Sequence, residues 1–208
     1  MRKLFLPGYG ASARLYRRGL GPGWRALEPP SFCASGGVLS AYERWLEREL
    51  CRSHEPAWVA GHSMGGALAV VVTAANPARV ARLTLISPAG LPLRKPIYAS
   101  LADFARQVAS GRYDPREVAH DLRQAIRAPR AALRLARSVR SLDLSGEMRK
   151  LRHLGVPVEV VGCASDTLVT PAHCRIAAGL LGADYRELEL PGGHMWMLDA
   201  WPRLGELL

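Results

Sequence analysis

A chain of 208 residues, 49 % of them apolar, is long enough to bury the core of one domain, or of one domain with a modest insertion. That apolar share, with 20 Gly and 15 Pro, excludes a disordered chain, and the lack of any run of about 18 apolar residues excludes a membrane-spanning helix. The formal charge of +10 is uneven: residues 91–150 hold 13 Arg or Lys against 6 Asp or Glu, so the positive field acts mainly there.

In chain order, Lys3-Leu4-Phe5-Leu6 reads as a short strand that ends at Pro7-Gly8-Tyr9-Gly10. Two early cations and three apolar residues before that turn are too few for a signal-peptide core, so the chain is expected to be cytoplasmic. A helix is predicted over 12–20 and a second strand over 24–28, closed by Pro29-Pro30. Leu39, Tyr42, Trp45, Leu46 and Leu50 recur among charges with the spacing of an amphipathic helix over 38–52. A short apolar strand, 58–60, meets Gly61, and an almost wholly apolar helix follows from Met64 to Ala75, stopped by Pro77. Further strands are predicted over 83–86, 156–161 and 185–190. A helix over 171–181 has Pro at its start and Gly182 after its end, and a last helix covers 196–208.

Apolar strands alternating with helices imply a mostly parallel sheet of about six strands with helices on both faces, an α/β protein. Sites in such sheets lie at the carboxyl ends of the strands. No internal repeat or low-complexity linker interrupts the chain.

Gly61-His62-Ser63-Met64-Gly65-Gly66 is a G-x-S-x-G pattern between a strand and a helix, the setting that gives the pattern meaning. Gly61 and Gly65 leave room where a Cβ would collide with a neighbouring element, and the helix N-terminus offers free N–H groups to a developing oxyanion. A serine hydroxyl needs a base. His194, in Leu190-Pro191-Gly192-Gly193-His194, stands past the last strand and before the last helix, so it is the expected base. His62 adjoins the serine but neighbours in a tight turn point apart, so it is expected to pack in the elbow. His54, His120, His153 and His173 lack a strand-end position. Asp166, directly after the 156–161 strand, is the expected carboxylate partner of His194. Asp184 lies at the wrong strand end and Asp199 inside the last helix.

The order Ser63, Asp166, His194 and the segments Leu6-Pro7-Gly8-Tyr9-Gly10, Asp166-Thr167-Leu168-Val169-Thr170-Pro171 and Gly192-Gly193-His194 resemble the α/β-hydrolase family across nearly the whole chain. The resemblance implies that the backbone N–H groups of Tyr9 and Met64 form an oxyanion hole. It also implies a core over 1–90, a helical Arg-rich cap over 91–150 inserted after the 83–86 strand, and core again over 151–208. This chain has Pro7 where the family usually has His, and it lacks the family's usual first two strands. The 24–28 strand would then be an exposed edge, open to pairing in a homodimer.

The reading is a serine esterase that needs neither metal nor organic cofactor. An alternative is a thioesterase acting on carrier-protein or coenzyme A substrates, and another is a non-catalytic ligand receptor on the same fold. In the cap, Arg130, Arg134 and Arg137 share one helix face, with Ala132, Leu133, Ala136 and Val139 expected opposite, and Arg123 and Arg127 repeat the spacing upstream. These arginines are either a solvated face or a docking surface for an acidic acyl carrier protein or coenzyme A; attachment to a membrane surface is a further reading. Nucleic acid is disfavoured because aromatics do not interleave with the basic stripe. Cap residues Leu91, Ile97, Tyr98, Phe104 and Tyr113 are candidates to line a pocket. The four cysteines, Cys33, Cys51, Cys163 and Cys174, have no metal-ligand spacing and are expected to be free and mostly buried.

Overall fold

A computed structural model describes residues 1–17, 19–93 and 114–199. Six strands form one sheet in the order β2-β1-β3-β4-β5-β6, and every neighbouring pair is parallel. They are β1 (Arg2–Leu6), β2 (Trp24–Ala26), β3 (Ala57–His62), β4 (Val80–Ile86), β5 (Val158–Cys163) and β6 (Asp184–Leu188). The fold is the expected α/β arrangement with a six-stranded, all-parallel sheet.

Strand side chains alternate between two apolar clusters, the mark of a sheet covered on both faces. Leu4, Leu6, Val59, Leu83, Leu85 and Val160 face the larger cluster. Its other wall comes from α3 (Leu39–Cys51), α4 (Met64–Ala75), α7 (Ser145–Arg152) and α8 (Pro171–Leu181). Phe5, Ala60, Ile86, Val161 and Cys163 face the smaller one, with Tyr16 from α1 (Ala13–Arg17) and Trp196 from α9 (Trp196–Asp199). The α4 helix is buried almost all round, because its sequence is apolar all round.

Several boundaries differ from the sequence reading, each for a local reason. The helix predicted over 12–20 has only the five residues of α1, since Gly19 and Gly21 follow closely. The β2 strand has three residues, because Pro29-Pro30 and the edge position leave little to pair. Short α2 (Phe32–Ser35), capped by the Ser31 hydroxyl, was not foreseen, nor was α7, in which Met148 and Leu151 join the core. The last helix is described only as far as Asp199, and 200–208 lie outside the described residues.

Two helices of the predicted cap are described, α5 (Pro115–Arg127) and α6 (Pro129–Ser141). Asp114 caps α5 through the N–H of Arg116. Ala132, Leu135 and Val139 are the buried face of α6. Leu133, expected on that face, is instead 42 % exposed beside the arginines, because 133 falls one residue off the 132–135–139 spacing. Ile97, Tyr98, Phe104 and Tyr113 lie outside the described residues, and Leu91 is partly buried against the core. All four cysteines are free. Cys163 and Cys174 are buried, but Cys33 and Cys51 are exposed, because each ends up on the outer side of a surface helix. Among the described residues no helix is long and apolar enough to cross a membrane.

Candidate active site

The carboxyl ends of β1, β3, β4 and β5 converge where the loop after each strand begins. Ser63 follows β3 directly and opens α4. Its backbone has φ 53° and ψ −118°, a left-handed conformation that a non-glycine residue adopts only when its surroundings compel it. The Ser63 N–H donates to the Ile86 carbonyl, and its carbonyl accepts from Ala67 and Ala89. The elbow closes so tightly that a Cβ on Gly61 would stand 2.5 Å from the Gly65 carbonyl oxygen. One on Gly65 would stand 2.4 Å from that of Leu6. Neither position has room for a Cβ.

His194 Nε2 lies 2.9 Å from Ser63 Oγ, and its Nδ1 lies 2.8 Å from Asp166 Oδ2. Asp166 is 2 % exposed. Its other oxygen accepts from the N–H groups of Leu168 (2.9 Å) and Val169 (3.0 Å). Burial pushes the Asp166 carboxyl up. The His194 charge and hydrogen bond, the Leu168 N–H and the Ser87 hydroxyl outweigh that and hold it below the usual carboxylate range. The three residues separated by up to 131 positions in sequence are therefore one hydrogen-bonded row. His54, His120, His153 and His173 take no part in it. His120 meets Gln124, and His173 Nδ1 meets the hydroxyl of Thr170, the cap of α8.

Other side chains hold this row in place, and the sequence did not single them out. Ser165 donates to the Leu190 carbonyl at 2.6 Å and accepts from the Gly193 N–H at 3.2 Å, which pins the histidine loop to the aspartate loop. Ser87, fully buried with φ 40°, accepts from Trp196 Nε1 at 3.2 Å and faces Asp166. The available signal was position alone: each serine follows a predicted strand at its carboxyl end. His62 is 1 % exposed, as elbow packing requires, but it is also hydrogen-bonded at both ring nitrogens, to Tyr16 Oη (2.9 Å) and to the His194 carbonyl oxygen (3.2 Å). Polar partners, not apolar contact alone, fix that ring.

The loop after β1 approaches the same point, with Gly8, Phe32, Tyr42, Met64 and Gln124 of α5 around one cleft. Among the described residues the N–H groups of Tyr9 and Met64 have no protein acceptor. The Tyr9 hydroxyl donates to the Ala132 carbonyl of α6 at 2.8 Å, and burial pushes its pKa up to about 12. Asp121 of α5 accepts from the Ser12 N–H at 3.1 Å, so these two bonds fasten α6 and α5 to this loop. Arg123, Arg127, Arg130, Arg134 and Arg137 are exposed on the outer side of α5 and α6. No carboxylate among the described residues pairs with any of them. Exposed Leu122 (45 %), Ile126 (75 %) and Leu133 lie between them. Among the described residues no cluster of three His, Cys, Asp or Glu side chains could hold a metal.

A family model described as "Alpha/beta hydrolase family" matches residues 4–206. No curated protein sequence matches. Among solved structures, a thermophilic esterase superposes with a TM-score of 0.75 at 22 % identity, covering 99 % of this chain and 87 % of that one. A lipase-esterase related protein from Clostridium acetobutylicum gives 0.72 at 13 % identity, with 99 % and 92 % covered. A thioesterase domain from the curacin biosynthetic pathway gives 0.65 at 20 %, with 99 % and 89 % covered. At these identities the likeness is one of fold.

Proposed function

The chain belongs to the α/β-hydrolase family, and from that premise we propose that it is a serine hydrolase that cleaves carboxylic esters through an acyl-enzyme. The observation that carries the reading is the row Ser63 Oγ–His194 Nε2, His194 Nδ1–Asp166 Oδ2 on a serine with positive φ at a helix N-terminus. His194 Nε2 takes the hydroxyl proton as Ser63 Oγ attacks the ester carbonyl carbon. The carbonyl π electrons move onto its oxygen, which the N–H groups of Tyr9 and Met64 receive; one such donor is worth about 3–4 kcal/mol at the tetrahedral intermediate. Collapse breaks the bond to the alcohol oxygen, and His194 returns its proton to that leaving group. Water then repeats the sequence: His194 takes its proton, hydroxide adds to the acyl carbon, and the acid leaves as Ser63 regains its hydrogen. Asp166 stays ionised throughout and stabilises the charged imidazole.

The test is hydrolysis of a ladder of chromogenic acyl esters from about two to twelve carbons by wild type and Ser63→Ala. Turnover that falls by at least about a thousandfold in the variant supports the reading. A folded wild type that binds acyl ligands but turns over no rung favours the receptor alternative.

The arginines of α5 and α6, which meet no carboxylate among the described residues and are interspersed with exposed Leu122, Ile126 and Leu133, favour a second reading: a thioesterase whose substrates arrive on an acidic carrier docked on α5 and α6. Neutralising Arg130, Arg134 and Arg137 together would then slow carrier-linked thioesters and spare small free esters. Equal slowing of both would sink it.

A further inference from the structure

His62, the residue before Ser63, joins two loops that approach the serine from opposite sides. Its Nε2 faces the His194 carbonyl oxygen at 3.2 Å, and a carbonyl only accepts, so Nε2 carries the hydrogen. In the neutral ring Nδ1 is then an acceptor, and Tyr16 Oη, 2.9 Å away, donates to it. Tyr16 Oη in turn accepts from the Gly8 N–H at 3.3 Å. Every hydrogen has a place, and all point one way: from the Gly8 N–H through Tyr16 and His62 to the carbonyl of His194.

The surroundings leave this chain little freedom. Tyr16 is fully buried, with its ring 4.8 Å from that of Phe5, and the His62 ring lies 4.8 Å from that of His194. A Cβ on Gly8 would stand 2.9 Å from His62 Nδ1, so the loop rests directly on the ring. Burial, reinforced by the nearby His194, holds the His62 pKa well below that of an ordinary histidine, which keeps the ring in the neutral form the chain requires.

We propose that His62 and Tyr16 form a positioning link that sets the Gly8–Tyr9 loop and the His194 loop at a fixed separation across Ser63. The inference rests on the serine-hydrolase reading. It assigns neither residue to the chemistry: both act through what they hold. One end of the link adjoins the N–H of Tyr9, the proposed oxyanion donor, and the other end is the backbone of the base. Loosening it displaces donor and base relative to one another, and misplacement on the order of 1 Å costs about a hundredfold in rate.

The experiment compares wild type, Tyr16→Phe, His62→Phe, the double variant and His62→Gln. Turnover is expressed per Ser63 titrated with a fluorophosphonate, so that unfolded molecules do not count. Tyr16→Phe and His62→Phe are each expected to lower kcat per titrated site by about tenfold to a hundredfold, with KM changed much less. The double variant should lose no more than the worse single one, because both interrupt one chain. His62→Gln, which can still donate to the His194 carbonyl and accept from Tyr16, should recover part of the rate. A purely structural role would lower Tm and the fraction titrated while leaving kcat per site within about twofold of wild type. That result, or losses that multiply, overturns the link. Nitrogen-15 NMR of labelled histidine reads the same chain without activity: His62 should show the Nε2–H tautomer, and an Nδ1–H tautomer or a charged ring at neutral pH would refute it. Failure of wild type to take the label would refute the serine-hydrolase reading instead, and the NMR result would still decide whether the link exists.

Discussion

At the scale of single residues, the consequences of the site turn on which atom holds a hydrogen. Asp166 Oδ1 takes two backbone N–H groups, so Asp166→Asn would keep its oxygen there and turn its NH2 toward His194 Nδ1. That donor forces the imidazole hydrogen onto Nε2, facing Ser63, and removes the base. A fall in kcat of about ten-thousandfold with Tm little changed is expected, read from ester turnover and a melt. His62 gives a stability prediction of definite sign. Its folded pKa lies well below the ordinary 6.5, so between those two values the unfolded chain binds one proton more than the native one. Unfolding free energy should therefore fall as pH drops below about 6.5, by up to about 1.4 kcal/mol per pH unit, and be insensitive to His62 above it. His62→Phe, which cannot take the proton, should flatten that slope in urea melts at pH 7, 6 and 5, whatever its absolute stability. The residues most legible in sequence were those whose chemistry needs a motif, Ser63, Asp166 and His194. Tyr16, Ser87 and Ser165 were not, because a lone hydroxyl in a loop or helix carries no mark of the partner it will meet.

At the scale of elements, the elbow is where packing and chemistry coincide. The N-terminus of α4 sits against the carbonyls of Leu6 and Pro7, 2.4 and 2.6 Å from where a Gly65 Cβ would be. Gly65→Ala must push α4 off the loop after β1, so a loss of about 1–3 kcal/mol together with reduced turnover is expected in a melt and an ester assay. The α5 helix is fastened to that same loop by a carboxylate that burial disfavours. Asp121 Oδ1 and Ser12 Oγ are both buried; burial raises the Asp121 pKa, and the Ser12 N–H and hydroxyl only partly offset it. Asp121→Asn could accept from the Ser12 N–H and donate to the Ser12 hydroxyl. It should raise stability by about 1 kcal/mol, or roughly 2–4 °C in Tm; an unchanged or lower Tm would count against this account of the cap contact. Elements with clear end signals matched their sequence bounds: α4, stopped by Pro77, and α8, opened by Pro171 and closed by Gly182. Short α2, which rests on a single Ser31 cap, was not foreseen, and the buried face of α6 was misjudged at Leu133, one residue off the Ala132–Leu135–Val139 stripe.

At the scale of the whole molecule, the alternation of apolar strands and helices was enough to foresee a mostly parallel sheet, since only burial on both faces asks for strands as apolar as β3 and β4. The sequence order of the strands does not state which helix covers which face, and the two apolar clusters emerge only from the folded register. Charge is distributed in the same way at this scale. Arg25 and Arg52 share Glu49, and Arg82 and Arg186 share Glu159, whereas the five outward arginines of α5 and α6 meet no carboxylate among the described residues. The central claim is that all of this architecture serves one nucleophile. The most direct test is reaction with one equivalent of a fluorophosphonate, followed by peptide mass mapping and residual ester turnover. A single adduct on Ser63 that grows in step with loss of turnover, and that fails to form in His194→Ala, is the predicted result. An adduct on another residue, or turnover that survives complete modification of Ser63, would contradict the account.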